Sequence, residues 1–175
     1  VCTGNVCQVP SCTDTVKNGT ETGTDCGGGC PGCANGGPCT TGSDCSSLVC
    51  AGSLCQAPTC SDGVKNQSES DVDCGGTCAD CPAGAACTAG SDCQSDVCTG
   101  NVCQAPACND AVKNGAETDV DCGGGICVDC NDGQACGNAG DCTSGVCTGH
   151  VCQAPACSDG VKNGGESDVD CGGPS

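Results

Sequence analysis

Cys60-Ser61-Asp62-Gly63-Val64-Lys65-Asn66-Gln67-Ser68-Glu69-Ser70-Asp71-Val72-Asp73-Cys74-Gly75-Gly76-Thr77-Cys78-Ala79-Asp80-Cys81 is the stretch that decides how this chain folds. Carboxylates stand where a globular segment would carry apolar side chains, and cysteines close it. The stretch recurs. Its leading cysteine has counterparts at Cys12, Cys108 and Cys157, at offsets of 48, 48 and 49 residues. A period of that length marks tandem units that stack or string together rather than one globule. The register gives the end of a preceding repeat at 1–7, full repeats at 12–55, 60–103 and 108–152, and the start of a further repeat at 157–175. Both ends therefore fall mid-unit, and the register predicts Cys as the residue that follows Ser175 in the gene.

Each full repeat carries eight cysteines, as in Cys60, Cys74, Cys78, Cys81, Cys87, Cys93, Cys98 and Cys103. The chain holds 28 in its 175 residues, with no Phe, Tyr, Trp or Met and only 16 Val, 2 Leu and 1 Ile. So little apolar surface offsets too little chain entropy to fold a domain by burial. Cross-links must take that part, as they do in small domains without a core. The fold class expected is small disulfide-rich repeats of short β-hairpins and loops, in a tandem array forming a rod or solenoid-like fibre.

Charge excludes other classes. Against 22 acidic residues stand 4 Lys and no Arg, a formal net charge of −18. Phosphate neutralisation needs basic residues and single-strand binding needs aromatic platforms, so nucleic acid is not an expected partner. No run approaches the apolar length of a spanning helix, so no membrane insertion is expected within this segment. Even cysteine spacing without histidine partners points to an oxidising, secreted or cell-surface setting.

The second half of each repeat is a tight module with the spacing C-x5-C-x4-C-x4-C, ending as in Val97-Cys98-Thr99-Gly100-Asn101-Val102-Cys103. Valines flanking a short Gly-Asn turn read as a hairpin. Gln56-Ala57-Pro58, Gln104-Ala105-Pro106 and Gln153-Ala154-Pro155 then leave one residue before the next cysteine, too short for a free linker, so adjacent repeats are expected to touch.

The acidic half reads as a cation site. Its columns are Asp14, Asp62, Asp110 and Asp159; Asn18, Asn66, Asn114 and Asn163; Glu21, Glu69, Glu117 and Glu166; and Asp25, Asp73, Asp121 and Asp170, with Asp71, Asp119 and Asp168 between. Ca²⁺ suits such a loop, since it takes about 6–8 oxygens in irregular geometry. The spacing is not that of an EF-hand. Gly23 stands where the other copies have aspartate, so the first site is expected to be the weakest. The alternative is a solvated acidic face that keeps the protein soluble; fixed positions in four copies favour the ion.

The string Asp159-Gly160-Val161-Lys162-Asn163-Gly164-Gly165-Glu166-Ser167-Asp168-Val169-Asp170-Cys171-Gly172-Gly173 resembles the cysteine-rich tandem repeats of large secreted and surface proteins of myxobacteria and related bacteria, a likeness that covers the entire chain. Its Asp-x-Asp-Cys ending is similar to thrombospondin type 3 repeats, which implies disulfide-stapled calcium loops, although their denser aspartate run is missing. The spacing of the second half is similar to Dickkopf-type cysteine modules, and no receptor function is carried over from these.

Cys30-Pro31-Gly32-Cys33, Cys78-Ala79-Asp80-Cys81 and Cys127-Val128-Asp129-Cys130 admit a zinc half-site or a redox pair, but disulfides are expected. A metal-storing protein would favour adjacent and C-x-C cysteines, which the chain never shows. Four cysteines in a half-unit admit three pairings, and alternating pairs such as Cys39 with Cys50 and Cys45 with Cys55 are the expectation. The only histidine, His150, sits at a hairpin tip where other copies have Ser53 or Asn101, so no catalytic arrangement can be drawn on it and no enzyme is expected. Asn18-Gly19-Thr20 and Asn66-Gln67-Ser68 match a glycosylation pattern that other copies lack. The function expected is an extracellular structural repeat fibre or surface filament, braced by Ca²⁺ and partnering itself. The alternatives are the stalk of an adhesin or ligand-binding protein, and a cysteine-rich metal-binding protein.

Overall fold

A computed structural model describes residues 2–173, and its framework is sulfur. All cysteines of the three full repeats are disulfide-bonded. Pairing is alternating in both halves of a repeat. Cys12 joins Cys30 and Cys26 joins Cys33 in the first half; Cys39 joins Cys50 and Cys45 joins Cys55 in the second. Repeat 108–152 reproduces the set with Cys108–Cys127, Cys122–Cys130, Cys136–Cys147 and Cys142–Cys152. Cys2 and Cys7 are unpaired, as are Cys157 and Cys171. The first two hold the register of Cys50 and Cys55, whose partners lie 11 and 10 residues earlier in the chain.

Regular structure is confined to two-residue strands. They form four hairpins: β1 (Cys2–Thr3) with β2 (Val6–Cys7), β3 (Cys50–Ala51) with β4 (Leu54–Cys55), β5 (Cys98–Thr99) with β6 (Val102–Cys103), and β7 (Cys147–Thr148) with β8 (Val151–Cys152). The turn explains the sequence at each tip. Gly100 and Asn101 both adopt φ of +62°, the left-handed pair of a type I′ turn, which Gly and Asn accept most readily. The linking glutamine then closes the hairpin, Gln104 Nε2 donating to the carbonyls of Thr99 and Val102. Single 3-10 turns at Gly42–Asp44, Gly90–Asp92 and Ala139–Asp141 are the only helical segments described. Among the described residues no helix is long and apolar enough to cross a membrane.

The interior holds no oil. Among the described residues every buried apolar side chain is a cysteine, while Val9, Ile126 and Val128 are 82%, 78% and 72% exposed. In repeat 12–55 the sulfurs of Cys33, Cys39, Cys45 and Cys55 pack together, with Cys26 and Cys50 against them. The other buried side chains are polar: Asp44, Ser47, Glu69, Ser70, Asp92, Ser95, Asp141, Ser144 and Glu166.

The chain divides into two compact units, one of Val1–Cys81 with Ala86–Thr88 and one of Pro82–Ala85 with Ala89–Ser175. Within each, neighbouring repeats touch through the same bond. In the first unit Asn66 Nδ2 donates to the Ser47 carbonyl at 3.1 Å. In the second, Asn114 Nδ2 reaches the Ser95 carbonyl and Asn163 Nδ2 the Ser144 carbonyl, both at 2.9 Å. A side chain of one acidic half is thus clipped to the second half of the repeat before it.

Candidate cation-binding loop

The acidic half folds as a loop pinned by its own carboxylates. Asp73 sits at φ +58°, a left-handed conformation that Asp tolerates better than most side chains. Its carboxylate turns back across the loop and accepts the amides of Asp62 and Gly63 at 2.9 and 3.0 Å. Asp25, Asp121 and Asp170 repeat this at φ of +56°, +58° and +52°. Asp62 in turn caps the loop entrance, accepting from the Thr59 and Val64 amides and from Asn66 Nδ2. The Thr59 amide and then Asn66 hold the Asp62 carboxyl below its usual range, while for Asp110 the leading cause is Asn114. Glu69 Oε2 accepts the Asn66 amide at 3.0 Å, and the equivalent oxygens of Glu21 and Glu166 also accept the amides of Asp25 and Asp170.

Four of the five expected residues are therefore brought together: Asp62, Asn66, Glu69 and Asp73. The fifth faces elsewhere. Asp71 Oδ2 accepts the Ala86 amide at 2.6 Å, and Asp119 Oδ2 the Ala135 amide at 2.7 Å, so these side chains tie the acidic half to the second half of its own repeat. Those amides lower both carboxyls. The exception proves informative. Where the first repeat has Gly23, the residue aligned with Ala86 and Ala135 is Pro38, which has no amide hydrogen to offer. A side chain at Gly23 would also collide, since a Cβ there lies 2.7 Å from Cys26 Sγ and 3.2 Å from Pro38 Cγ. Acceptor and donor are lost together.

Reading the sequence missed a second set of carboxylates. Asp44 and Asp141 are 3% and 1% exposed and meet amides rather than cations. Asp141 accepts from Gly137 and Asn138 through Oδ2 at 2.7 and 2.9 Å, and from Gly124 through Oδ1 at 2.9 Å. Asp44 does the same with Thr40, Thr41 and Gly28. Amide donors that favour the ionised form hold both carboxyls below the ordinary range, the Thr40 amide first for Asp44 and the Gly137 amide first for Asp141. Asp44 and Asp141 thereby bolt the Cys-Gly-Gly turn of the acidic half onto the second half. The signal was present, because an aspartate precedes the second cysteine of each module, as Asp44, Asp92 and Asp141. The turn needs its glycines: at Gly28, φ +65°, a Cβ would lie 1.8 Å from the Thr20 carbonyl oxygen.

The glycosylation patterns belong to the same network. Asn66 Nδ2, the atom a glycan would take, donates to Asp62 and to the Ser47 carbonyl, and Asn18 Nδ2 donates to Asp14 at 2.9 Å. Groups of sulfur that come within ligand spacing, such as Cys39, Cys45 and Cys50, are cystines and offer no thiolate to a metal. Comparisons with protein-family models, curated proteins and solved structures returned no match for the chain.

Proposed function

We propose that this chain is part of an extracellular structural protein, a rod or solenoid-like fibre of disulfide-stapled repeats whose acidic halves are braced by Ca²⁺. The recurring clip between repeats carries this reading: Asn66, Asn114 and Asn163 each donate to the carbonyl of Ser47, Ser95 and Ser144, always 19 residues back. A bond repeated in the same register fixes each unit against its predecessor, which is what a load-bearing array requires and a string of independent beads does not. Extensive cystine formation supports an oxidising, extracellular setting. The mechanism is mechanical, with cross-links limiting extension and ions stiffening each loop. The single histidine, His150, has no counterpart in the other repeats, and no enzymatic step is proposed.

Small-angle scattering of the oxidised protein, with and without Ca²⁺, tests the proposal. An elongated particle that stiffens with Ca²⁺ is expected. A scattering profile of freely jointed beads, unchanged by the ion, would refute it.

A further inference from the structure

The calcium reading spreads the ion over the whole acidic loop, but the hydrogen bonds narrow it. Asp62 and Asp73 are engaged by amides, and Asp71 points to Ala86. Two acceptors are left over. The side-chain oxygen of the clip residue, Oδ1 of Asn18, Asn66, Asn114 and Asn163, is buried with no hydrogen-bond partner in every copy. Close by, the glutamate whose Oε2 accepts that asparagine's amide has nothing for its other oxygen. Oε1 of Glu21, Glu69 and Glu117 faces only the sulfur of Cys30, Cys78 or Cys127 at 3.5 Å, and each of those sulfurs is in a disulfide and carries no proton. Glu166 Oε1 has no partner at all. Glu69 and Glu166 are 7% and 8% exposed, while Glu21 and Glu117 are half-buried.

Buried amide and carboxylate oxygens without donors are rare because each loses its water and gains nothing. Here the fault recurs in register. Asn18 and Glu21 line one pocket of about 230 Å³ beside the Cys12–Cys30 disulfide, and Asn114 and Glu117 line its equivalent of about 170 Å³ beside Cys108–Cys127. Resting on the calcium reading above, we propose that the Asn–Glu pair is where the ion binds, one per acidic half, anchored by Asn Oδ1 and Glu Oε1. A bare cation suits oxygens closed to water, since Ca²⁺ sits at about 2.3–2.6 Å, nearer than a hydrogen-bonded water. The carboxylate selects positive charge, and an all-oxygen donor set selects a hard ion over Zn²⁺. The rest of the shell would have to come from backbone carbonyls and water. Through Asn66 the ion would then be fixed beside the clip to Ser47, so filling the site would stiffen the joint between repeats.

The test is a calorimetric Ca²⁺ titration of the oxidised chain, with native mass spectrometry to count ions. Two variants are compared with it: E21Q/E69Q/E117Q/E166Q, and D71N/D119N/D168N. Up to four ions are expected, one for each orphaned asparagine. The glutamate variant should lose affinity at least about tenfold and the aspartate variant less than about threefold. Loss in the aspartate variant alone would sink the Asn–Glu site while leaving the calcium reading standing; no binding by the unaltered chain would remove both. Should the glutamate variant misfold, carbon NMR of the unaltered chain decides. Ca²⁺ should shift the Asn66 and Glu69 side-chain carbonyls, and a Glu69 carboxyl found protonated at neutral pH would overturn the site.

Discussion

Replacing Cys142 and Cys152 by serine asks whether sulfur is framework and core at once. Their disulfide closes a separation of 10 residues, for which the chain-entropy relation gives about 2.7 kcal/mol. That figure alone corresponds to about a 100-fold rise in the open population of the repeat. Entropy would rank Cys108–Cys127 higher, since its separation of 19 residues gives about 3.2 kcal/mol. Burial reverses the order. Cys142 and Cys152 are 4% and 1% exposed within the sulfur cluster, so the serine pair loses contact area as well and puts two hydroxyls among buried sulfurs. The assay is native-state hydrogen exchange, read at the amides of Cys130, bonded to the Asp141 carbonyl, and Cys152, bonded to the Gln134 carbonyl. In C142S/C152S their protection should fall by more than about 100-fold, and by more than in C108S/C127S. The Cys33 amide, bonded to the Asp44 carbonyl in another repeat, should keep its protection. A loss under about threefold at Cys152, or the larger loss in C108S/C127S, would refute the double role.

Ala135→Pro removes the amide that Asp119 accepts and should destabilise its repeat, whereas adding Asp119→Gly should restore much of the loss, because the first repeat already carries that pairing as Gly23 and Pro38; urea titration followed by far-ultraviolet circular dichroism checks the rescue, and additive losses would contradict it. Gly124→Ala, at φ +69° with a Cβ 1.9 Å from the Ala116 carbonyl oxygen, should abolish protection of the Gly124 and Cys130 amides; an unchanged exchange pattern would rule the turn out as a close-packed joint. Acid should loosen the same joint. Asp44 and Asp141 titrate below their ordinary 3.8 when folded, so their contribution is complete above that value and is lost as pH falls through the lowered folded values. Amide protection at Gly28 and Gly124 should therefore hold at pH 5 and decline below about 3, and protection constant through that range would disprove the assignment. Reduction in the presence of a thiol trap should return both carboxyls to ordinary titration by carbon NMR; carboxyls still depressed without disulfides would show that the amide cradle folds by itself.

The frame of the fold was legible because cysteine spacing is a covalent constraint written directly in the chain. Period, the Gly-Asn hairpins and contact between repeats all follow from it. The acidic columns were legible as positions, but not as partners. Asp62 and Asp73 recur because a turn of fixed shape presents amides to them, and an amide donor leaves no mark in the sequence, since every residue except proline has one. Asp71 shows the limit well. Its counterpart Gly23 looked like a weakened ion site, and only the position of Pro38 shows that the missing carboxylate has no amide to meet. Asp44 and Asp141 were overlooked because a buried charge is expected to face a cation, and here the cradle is backbone.

A chain that buries sulfur and carboxylate instead of hydrocarbon must order its loops before its charges have anywhere to go. Repulsion among the carboxylates opposes compaction, and the amides that offset it lie in turns closed by Cys12–Cys30 and Cys26–Cys33 or their equivalents. The disulfides thus supply the geometry in which ionised aspartates become stabilising, and the aspartates then join one half of a repeat to the other. Asn Oδ1 and Glu Oε1 fall outside this exchange of charge for amides. They sit at the joint between repeats, where Asn66 already spends its Nδ2 on Ser47. On the proposal above, an ion drawn there should bear on the contact between neighbouring repeats, so withdrawing it should weaken the Asn66–Ser47 bond while every disulfide and every carboxylate–amide bond stays in place.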